Sequence, residues 1–564
     1  MEKRVVVFLV LSLAIIFGFE YVLKGLGLVP EQTISQPIEP SSQESPVVHE
    51  GGKPANSAGS VPAPKTPPAT QPSSQIVQTQ ESQNLPAAEI ITVEAPLYHA
   101  KFTGRGAGLT SWELTKYRSS GDGKSPVQLV RQGGKFLDPL TVTTDDTALT
   151  KELTEGVYRV ERDFTTLDQA HPVGHLTFRY ENATTGIRLE KQLTFHADSY
   201  VVDVALKHTG LTGSVKVELG TNFGIVEWGE GFIGSVGAAS LVDDKIDTDV
   251  PDKEVEQKGA LKWTALQDKY FIAAFIPAGQ ASPLPKKQGD RLMSSAMRMK
   301  IDTSESPLSL QLFAGPKEYD TLLKMGNRLE DTIDFGWFLF GSWDMVRAVA
   351  KPIFSVLRSI NGYTHNYGVT IILLTIAIKL LFIPLQYKSY KSMKQMQGIQ
   401  PKVAALQEKF KDDRERLNRE LIKLYRDHKV NPVGGCLPMV LQMPVFVALF
   451  NILYMSIDLR QAPLGMWIND LSVQDPYYIL PIIMGISMVI MQKIQPTTMD
   501  PAQAKMMLML PAVMTFLFIN FPAGLVLYWL TNNVLSIIQQ FVTDRFIFKK
   551  GILTPPAVAE AAKE

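Results

Sequence analysis

Apolar positions along this chain follow three different rhythms. Near the start, Val5–Phe19 is an unbroken apolar run, continued by Tyr21, Val22 and Leu23 and preceded by Lys3 and Arg4. It predicts a membrane-spanning helix within residues 1–29. No small-x-small cleavage site follows, so the run reads as an uncleaved signal anchor. Residues 30–86 have no rhythm. They are rich in Pro, Ser, Gln and Ala and hold no aromatic side chain. So little apolar surface does not offset the entropy of ordering, and a disordered tether is predicted. From about Ile90 to Gly315 the period becomes two. HLTFRY (His175–Tyr180), VVDVALKH (Val201–His208) and VKVELG (Val215–Gly220) alternate as half-buried strands do, with turn clusters at Ser119–Gly123 and Asn182–Gly186. An all-β sandwich over residues 87–330 follows.

Further on, the period moves to that of a helix. Trp337–Ile360 predicts an amphipathic helix (337–362), with Arg347, Lys351 and Arg358 within about 40° of one another. Val349, Ile353, Phe354, Val356 and Ile360 lie opposite. The aromatic start (Trp337, Phe338, Phe340, Trp343) and basic face suit a helix lying in the membrane interface; a soluble helix docked on the sandwich is the competing reading. Tyr367–Leu385 is an apolar run long enough to cross roughly 30 Å of hydrocarbon at about 1.5 Å per residue. Four more spans are predicted at Leu437–Ile457, Tyr477–Gln492, Met506–Asn520 and Gly524–Val542. Between them, in 388–431, Met396, Val403 and Phe410 recur every seven residues, as do Ile399 and Leu406. Leu417, Leu421 and Leu424 answer them beyond Asp412-Asp413, predicting two antiparallel helices closed on an apolar seam. The predicted fold class is a multi-domain membrane protein: six spans in all, five of them in an all-α core over 363–548, plus the all-β domain.

Total charge adds nothing, because 56 Lys+Arg balance 56 Asp+Glu over 564 residues. Its distribution orients the chain. Lys3 and Arg4, about a dozen Lys/Arg against half as many acids in 388–431, Lys493 and Lys505, and Arg545, Lys549 and Lys550 all mark cytoplasmic segments, while Asp458–Pro476 is net acidic. Both termini, including a short tail at 549–564, then lie inside and the β-domain outside. A single cysteine, Cys436, excludes an intramolecular disulfide and, without Cys or His neighbours, a zinc site; it reads as a packing residue beside Gly434-Gly435. In the β region, Gly104, Gly106 and Gly108 lack dinucleotide-loop spacing, and Arg118 stands where a phosphate loop ending in Gly123-Lys124-Ser125 needs glycine. No cofactor is expected.

Candidate chemistry sits at membrane depth. Lys379 is the charge inside the Tyr367 span, where a lysine costs about 2.5–3.5 kcal/mol on insertion scales. It therefore faces protein or water unless it snorkels to the headgroups. Thr375, four residues earlier, shares its face. Gln442, Asn451, Thr515, Tyr528, Asn532, Ser536 and Gln539 are further polar groups at depth, the last four within about 80° on one helix. Grouped around Lys379 they would line a water-filled recess open to the cytoplasm. For Gln442 and Asn451 singly, ordinary interhelical hydrogen bonding is the simpler account. The Tyr477 and Met506 spans, at about 16 residues or roughly 24 Å, are short and would thin the bilayer beside them.

Here the residues carry a likeness. NPVGGCLPMVLQMPVFVALF, LRQAPLGMWINDLSVQDPYYILPIIMG and FPAGLVLYWLTNN, with the Tyr367 span and its charged hairpin, resemble the YidC/Oxa/Alb3 family of membrane protein insertases. The likeness covers roughly Trp337–Phe548, and anchor, tether and β-domain in that order resemble the Gram-negative YidC subtype. It implies a periplasmic β-supersandwich, a bacterial inner-membrane location, and insertion, folding and assembly of membrane proteins, alone or with the Sec translocon. It also implies no nucleotide hydrolysis and no covalent catalysis. The family's positive groove residue falls on Lys379, its polar neighbour on Thr375, and its aromatic positions on Tyr528 and Trp529; Gln442 and Asn532 complete the expected substrate groove. Lysine where arginine is usual keeps the charge and loses the planar five-donor fork. Implied partners are nascent and unfolded membrane proteins, the translocon, the ribosome through the cytoplasmic hairpin, and the phospholipid bilayer, with no nucleic-acid specificity. The weakly basic tail after Lys550 does not support strong ribosome binding. Two rival classes remain: an anion transporter built on Lys379, which would need internal repeats not seen here, and a tethered sugar-processing enzyme in the β-domain.

Overall fold

The computed structural model describes residues 89–119, 123–133, 136–226, 236–289, 291–301, 307–338, 341–411, 413–428, 430, 437–494, 509–543 and 545. The expected anchor (1–29), tether (30–86) and tail (549–564), and Cys436, lie outside the described residues.

Alternating segments pair into a β-sandwich. One layer is a nine-stranded antiparallel sheet in the order Lys245–Asp247, Gly237–Val242, Leu261–Gln267, Phe271–Pro277, Leu308–Pro316, Val201–Thr209, Ile187–His196, Val173–Asn182 and Arg159–Arg162. The facing layer is split. Four strands, Ile90–Glu94, Tyr98–Thr103, Leu109–Arg118 and Pro126–Gln128, form one part; Ser214–Thr221 and Leu292–Lys300 centre a five-stranded part. Register follows the sequence rhythm: Asn182 faces Ile187 across the turn, and Leu189, Leu193 and Phe195 point inward while Arg188 points out. Between the layers the indole of Trp112 donates to the Ala314 carbonyl (3.0 Å), and Phe102 packs on Phe178 and Phe195. In the other half, Thr264 and Ser295 share a buried hydroxyl contact of 3.0 Å. Helix α1 (Thr147–Glu155) interrupts the strands and starts at Asp146, whose carboxylate accepts the Ala148 and Leu149 N–H groups.

One core position carries a charge. Lys191 is 1% exposed and points inward from the nine-stranded sheet. Its ammonium donates to the carbonyls of Ala107 and Leu140 and lies 5.4 Å from the Phe178 ring centre. Ala107 (φ 51°) and Leu140 (φ 66°) are both left-handed, and they stand just ahead of Leu109–Arg118 and Val142–Thr144, one in each part of the split layer. A single side chain thus ties three sheets. Burial pushes this ammonium from its ordinary 10.5 down to about 7.

After α2 (Tyr319–Met325), the sequence expectation needs a correction. The helix read from Trp337 begins at Asp344: Trp337–Phe338 pairs instead with Gly341–Ser342 in a two-stranded turn, and α3 runs Asp344–Thr364. Its buried stripe is Val346, Ala350, Phe354 and Leu357; Val356, on the apolar face read from the sequence, is exposed. The basic face meets carboxylates within the chain. Arg358 forms a two-pronged pair with Asp320, while Arg347 reaches Asp334 and Lys351 reaches Asp331, both at 3.5 Å. Asn451, fully buried, donates to the carbonyls of Phe335 (2.9 Å) and Trp337 (2.7 Å) and so fixes this connection.

The helical half begins with α4 (Tyr367–Lys409), capped by the Asn366 side chain on the Val369 N–H. Span and first hairpin arm, read separately from the sequence, are one helix of 43 residues. It packs with α5 (Arg414–Asp427) on the predicted seam, where Ile399 and Val403 are buried against Met396, Leu421 and Leu424. Then come α6 (Leu437–Met455), α7 (Ile479–Ile494), α8 (Leu510–Phe518) and α9 (Ala523–Val542). Helix α9 packs on α4 and α7, α3 on α4 and α6, and α7 on α8. Among the described residues, Tyr367–Met396 and Ala523–Val542 are long and apolar enough to cross a bilayer; Gln442–Met455 and Ile479–Ile494 are apolar but shorter.

Candidate substrate groove

Helices α4 and α9 lie side by side and leave a recess of about 640 Å³ between them. Its walls are mainly aliphatic, and Lys379 stands in one of them. The Lys379 ammonium donates to the Ser536 hydroxyl at 2.8 Å, and that hydroxyl in turn donates to the Asn532 carbonyl one turn earlier at 2.7 Å. A hydroxyl has one proton and two acceptor sites, so both bonds are satisfied together. Among the described residues, no carboxylate lines the recess. A half-buried cation therefore rests on a neutral partner.

The remaining expected groove residues divide. Thr375 is buried, and its hydroxyl bonds back to the Ile371 carbonyl (2.6 Å) on its own helix, a common way to satisfy threonine among apolar neighbours. Gln442 is half-buried on α6 and is not part of the recess wall. Tyr528 and Trp529 pack in an aromatic cluster joining α6, α8 and α9: Trp529 lies 5.0 Å from Phe446 and 4.8 Å from Phe518, and Tyr528 6.3 Å from Phe446. Trp529 precedes Ser536 by two turns on the same stripe, about 10 Å along the axis. The cluster thus lies on the side of Ser536 toward the start of α9, while the recess runs the other way, toward Tyr387, Lys388 and Thr543. Asn532 enters through its backbone carbonyl.

Lys379, Ser536 and Gln539 are thus brought together, and Tyr387 and Lys388 join them without having been singled out. For Tyr387 the signal was positional: Lys379, Ile383 and Tyr387 repeat every four residues, the spacing of one helical face, while Lys388, nine residues on, falls outside that repeat. Asn533, adjacent to the residue that was chosen, is buried and donates to the Ser487 hydroxyl (3.0 Å), while Gln540 donates to the Ile494 carbonyl (2.7 Å). These two bonds pin α9 to α7. Among the described residues, no group of three or more His, Cys, Asp or Glu is placed to hold a metal ion.

The β-domain meets the helical half at the turn after Gln267 and at the end of the Leu109–Arg118 strand. Asp268 accepts the N–H groups of Val226, Tyr270 and Phe271, which sets a tight turn presenting Lys269 over the Tyr454 ring at 3.8 Å. Arg460 lies over Tyr270 and Phe271 and donates to the Arg118 carbonyl at 2.9 Å. Nearby, hydrogen bonding from Arg358 holds the Asp320 carboxyl below its usual range, and burial pushes that of Asp458 up.

Comparison with known proteins gives a consistent picture. Residues 359–550 match the family model described as 60Kd inner membrane protein, and residues 90–356 match the YidC periplasmic domain. The chain is 39% identical to the membrane protein insertase YidC of Geotalea daltonii, covering 96% of this chain and 98% of that protein. It is 35% identical to the insertase of the same name from Maridesulfovibrio salexigens, over 96% and 99%. A crystal structure of an active YidC insertase with its first transmembrane domain resolved aligns at a TM-score of 0.35 with 17% identity, covering 82% of this chain and 93% of that one.

Proposed function

This chain belongs to the YidC family of membrane protein insertases, an inner-membrane family, and from that premise we propose that its clients enter through the recess between α4 and α9. The observation that supports this is the Lys379 ammonium, set in a mainly aliphatic wall and held by a neutral hydroxyl. An acidic residue in a client's hydrophilic tail exchanges the neutral Ser536 acceptor for an ionised one. Each charge left in hydrocarbon otherwise costs about 2.5–3.5 kcal/mol, so even partial hydration in the recess speeds passage. The client's apolar segment then passes exposed side chains such as Met443 on α6 and Phe516 on α8 into lipid, driven by its own transfer free energy. The step needs no nucleotide, cofactor or covalent intermediate. Of the other expected groove residues, Asn532 contributes the carbonyl that takes the Ser536 hydroxyl, while Thr375, Gln442, Tyr528 and Trp529 do not line the recess and have no part in this step.

In this reading the chain crosses the membrane six times with both termini cytoplasmic, α3 lies at the outer surface beneath the periplasmic β-sandwich, and residues 388–431 form the cytoplasmic hairpin. Partners are nascent membrane proteins, the Sec translocon, and the ribosome through that hairpin. The test is purified protein in liposomes with a short, acidic-tailed, single-span substrate, scored by protease protection. Wild type, Lys379→Ala and Lys379→Glu are run together. Insertion lost with Glu and weakened with Ala is expected. Equal insertion by all three would reduce Lys379 to a snorkelling residue and refute the charge mechanism.

A further inference from the structure

We propose that the recess between α4 and α9 is also a binding site for one anionic phospholipid, held with an acyl chain along the recess and its phosphate at Lys388. Three observations carry this. The recess, at about 640 Å³, falls within the roughly 300–1,000 Å³ of ordinary ligand pockets. Its rim is apolar and open: Leu380 is 60% exposed, and Ile383, Ile538 and Val542 are exposed beside it. In a bilayer such a rim faces acyl chains, not water. Finally, the charge is one-sided. Lys379 stands within the recess and Lys388 is exposed at its mouth, nine residues or about 13 Å farther along the same helix. Among the described residues, no carboxylate lies in the wall to repel a phosphate. An apolar slot with a cation at its mouth is complementary to a lipid with one negative headgroup, and less so to a zwitterionic one.

The site has a consequence for insertion, and that last step rests on the reading of the recess as the client's entry. A resident lipid keeps the slot from filling with water between clients. A client's acidic tail must displace it, with the Lys379–Ser536 contact uncovered as the lipid leaves.

Native mass spectrometry of the full chain ejected from nanodiscs of phosphatidylglycerol, phosphatidylethanolamine and phosphatidylcholine tests the binding. Wild type is expected to retain one phosphatidylglycerol in preference to the other two. Lys388→Glu, which inverts the mouth, and Ile538→Trp, which fills the slot, are each expected to cut that retention at least fivefold. Lys423→Glu, an exposed charge on α5, makes the same change of charge away from the recess and should retain the lipid. Equal retention by Lys388→Glu and wild type, retention unaffected by Ile538→Trp, no headgroup preference, or no lipid retained by wild type would each overturn the proposal. Insertion assays on the same preparations separate the two readings. Loss of lipid preference with normal Lys379-dependent insertion sinks the lipid site alone; a retained lipid with insertion indifferent to Lys379 sinks the entry reading alone.

Discussion

Lys191→Met offers a test of how the sandwich is held together. The lysine is enclosed, and burial depresses its pKa to about 7 from the 10.5 it has in the unfolded chain. Between those two values the unfolded state binds the proton and the folded state does not, so this group's contribution to stability rises with pH across that window. Below about 7 both states are charged and the cost of burying the ammonium is felt in full. The slope is about 1.4 kcal/mol per pH unit. Methionine removes the charge and its titration but leaves the Ala107 and Leu140 carbonyls without their donor, at about 1–3 kcal/mol each. Near pH 6 the gain from deleting a buried charge and the loss of two bonds are of similar size, so the variant should be close to wild type. Near pH 9 wild type has been relieved by roughly 3 kcal/mol, two pH units at that slope, and the variant has not. Hydrogen exchange of the Ile187–His196 strand in the full-length protein, corrected for the intrinsic pH dependence of exchange, measures the gap. Other titrating groups cancel in the difference between the two proteins. A difference that stays constant from about pH 6 to 9 would refute the argument, because Lys191 would then not change protonation across that range.

Asn451→Leu should expose the segment around Phe335 and Trp337 to protease and destabilise its contact with α6 by about 1–3 kcal/mol, since one buried and one part-buried carbonyl lose their donor. Arg358→Ala should cost less, about 0–1 kcal/mol, because the Arg358 and Asp320 side chains are 37% and 49% exposed; a larger loss than for Asn451→Leu in the same proteolysis assay would contradict this ranking. Gly485→Ala places a methyl 2.0 Å from the Thr515 hydroxyl oxygen, an overpacking of about 1–3 kcal/mol visible as a lower Tm. Adding Thr515→Ala should recover most of it, as the remaining 3.2 Å approach needs a shift of only a few tenths of an ångström; an unrescued double variant would place the strain elsewhere.

Much of this architecture was legible because it rests on local repetition. Alternation at Val201–His208 and Val215–Gly220 matches the strands Val201–Thr209 and Ser214–Thr221, and the seven-residue seam matches the contact of α4 with α5. What escaped depends on distant partners. Lys191 sits between Leu189 and Leu193 in an inward register, yet nothing nearby announces the two carbonyls, 84 and 51 residues away, that make its burial tolerable. Asn451 looked like a bond between helices; its partners are backbone carbonyls 116 and 114 residues upstream. Trp337 and Phe338 imitated the start of a helix because aromatic spacing is ambiguous over so few residues, and the pairing of Trp337 with Ser342 decided against it. In the groove, charge at depth was enough to single out Lys379. Its partner Ser536 was one of several candidates on a polar stripe, and only the crossing of α4 and α9 selects among them.

The unbroken run of α4 has a mechanical meaning. From Pro384, which cannot donate to the carbonyl four residues back, to the next proline, Pro401, is about 26 Å of helix at about 1.5 Å per residue. A bend of about 10° at Pro384, modest for a proline kink, swings the far end of that arm sideways by roughly 4–5 Å. Pro384 also lines the recess, one turn from Leu380. The rod is thus a lever with its fulcrum at the recess wall: a push at the far end arrives beside Lys379 as a small displacement multiplied in force, and a side chain wedged into the recess is magnified outward into a movement that a large partner can feel.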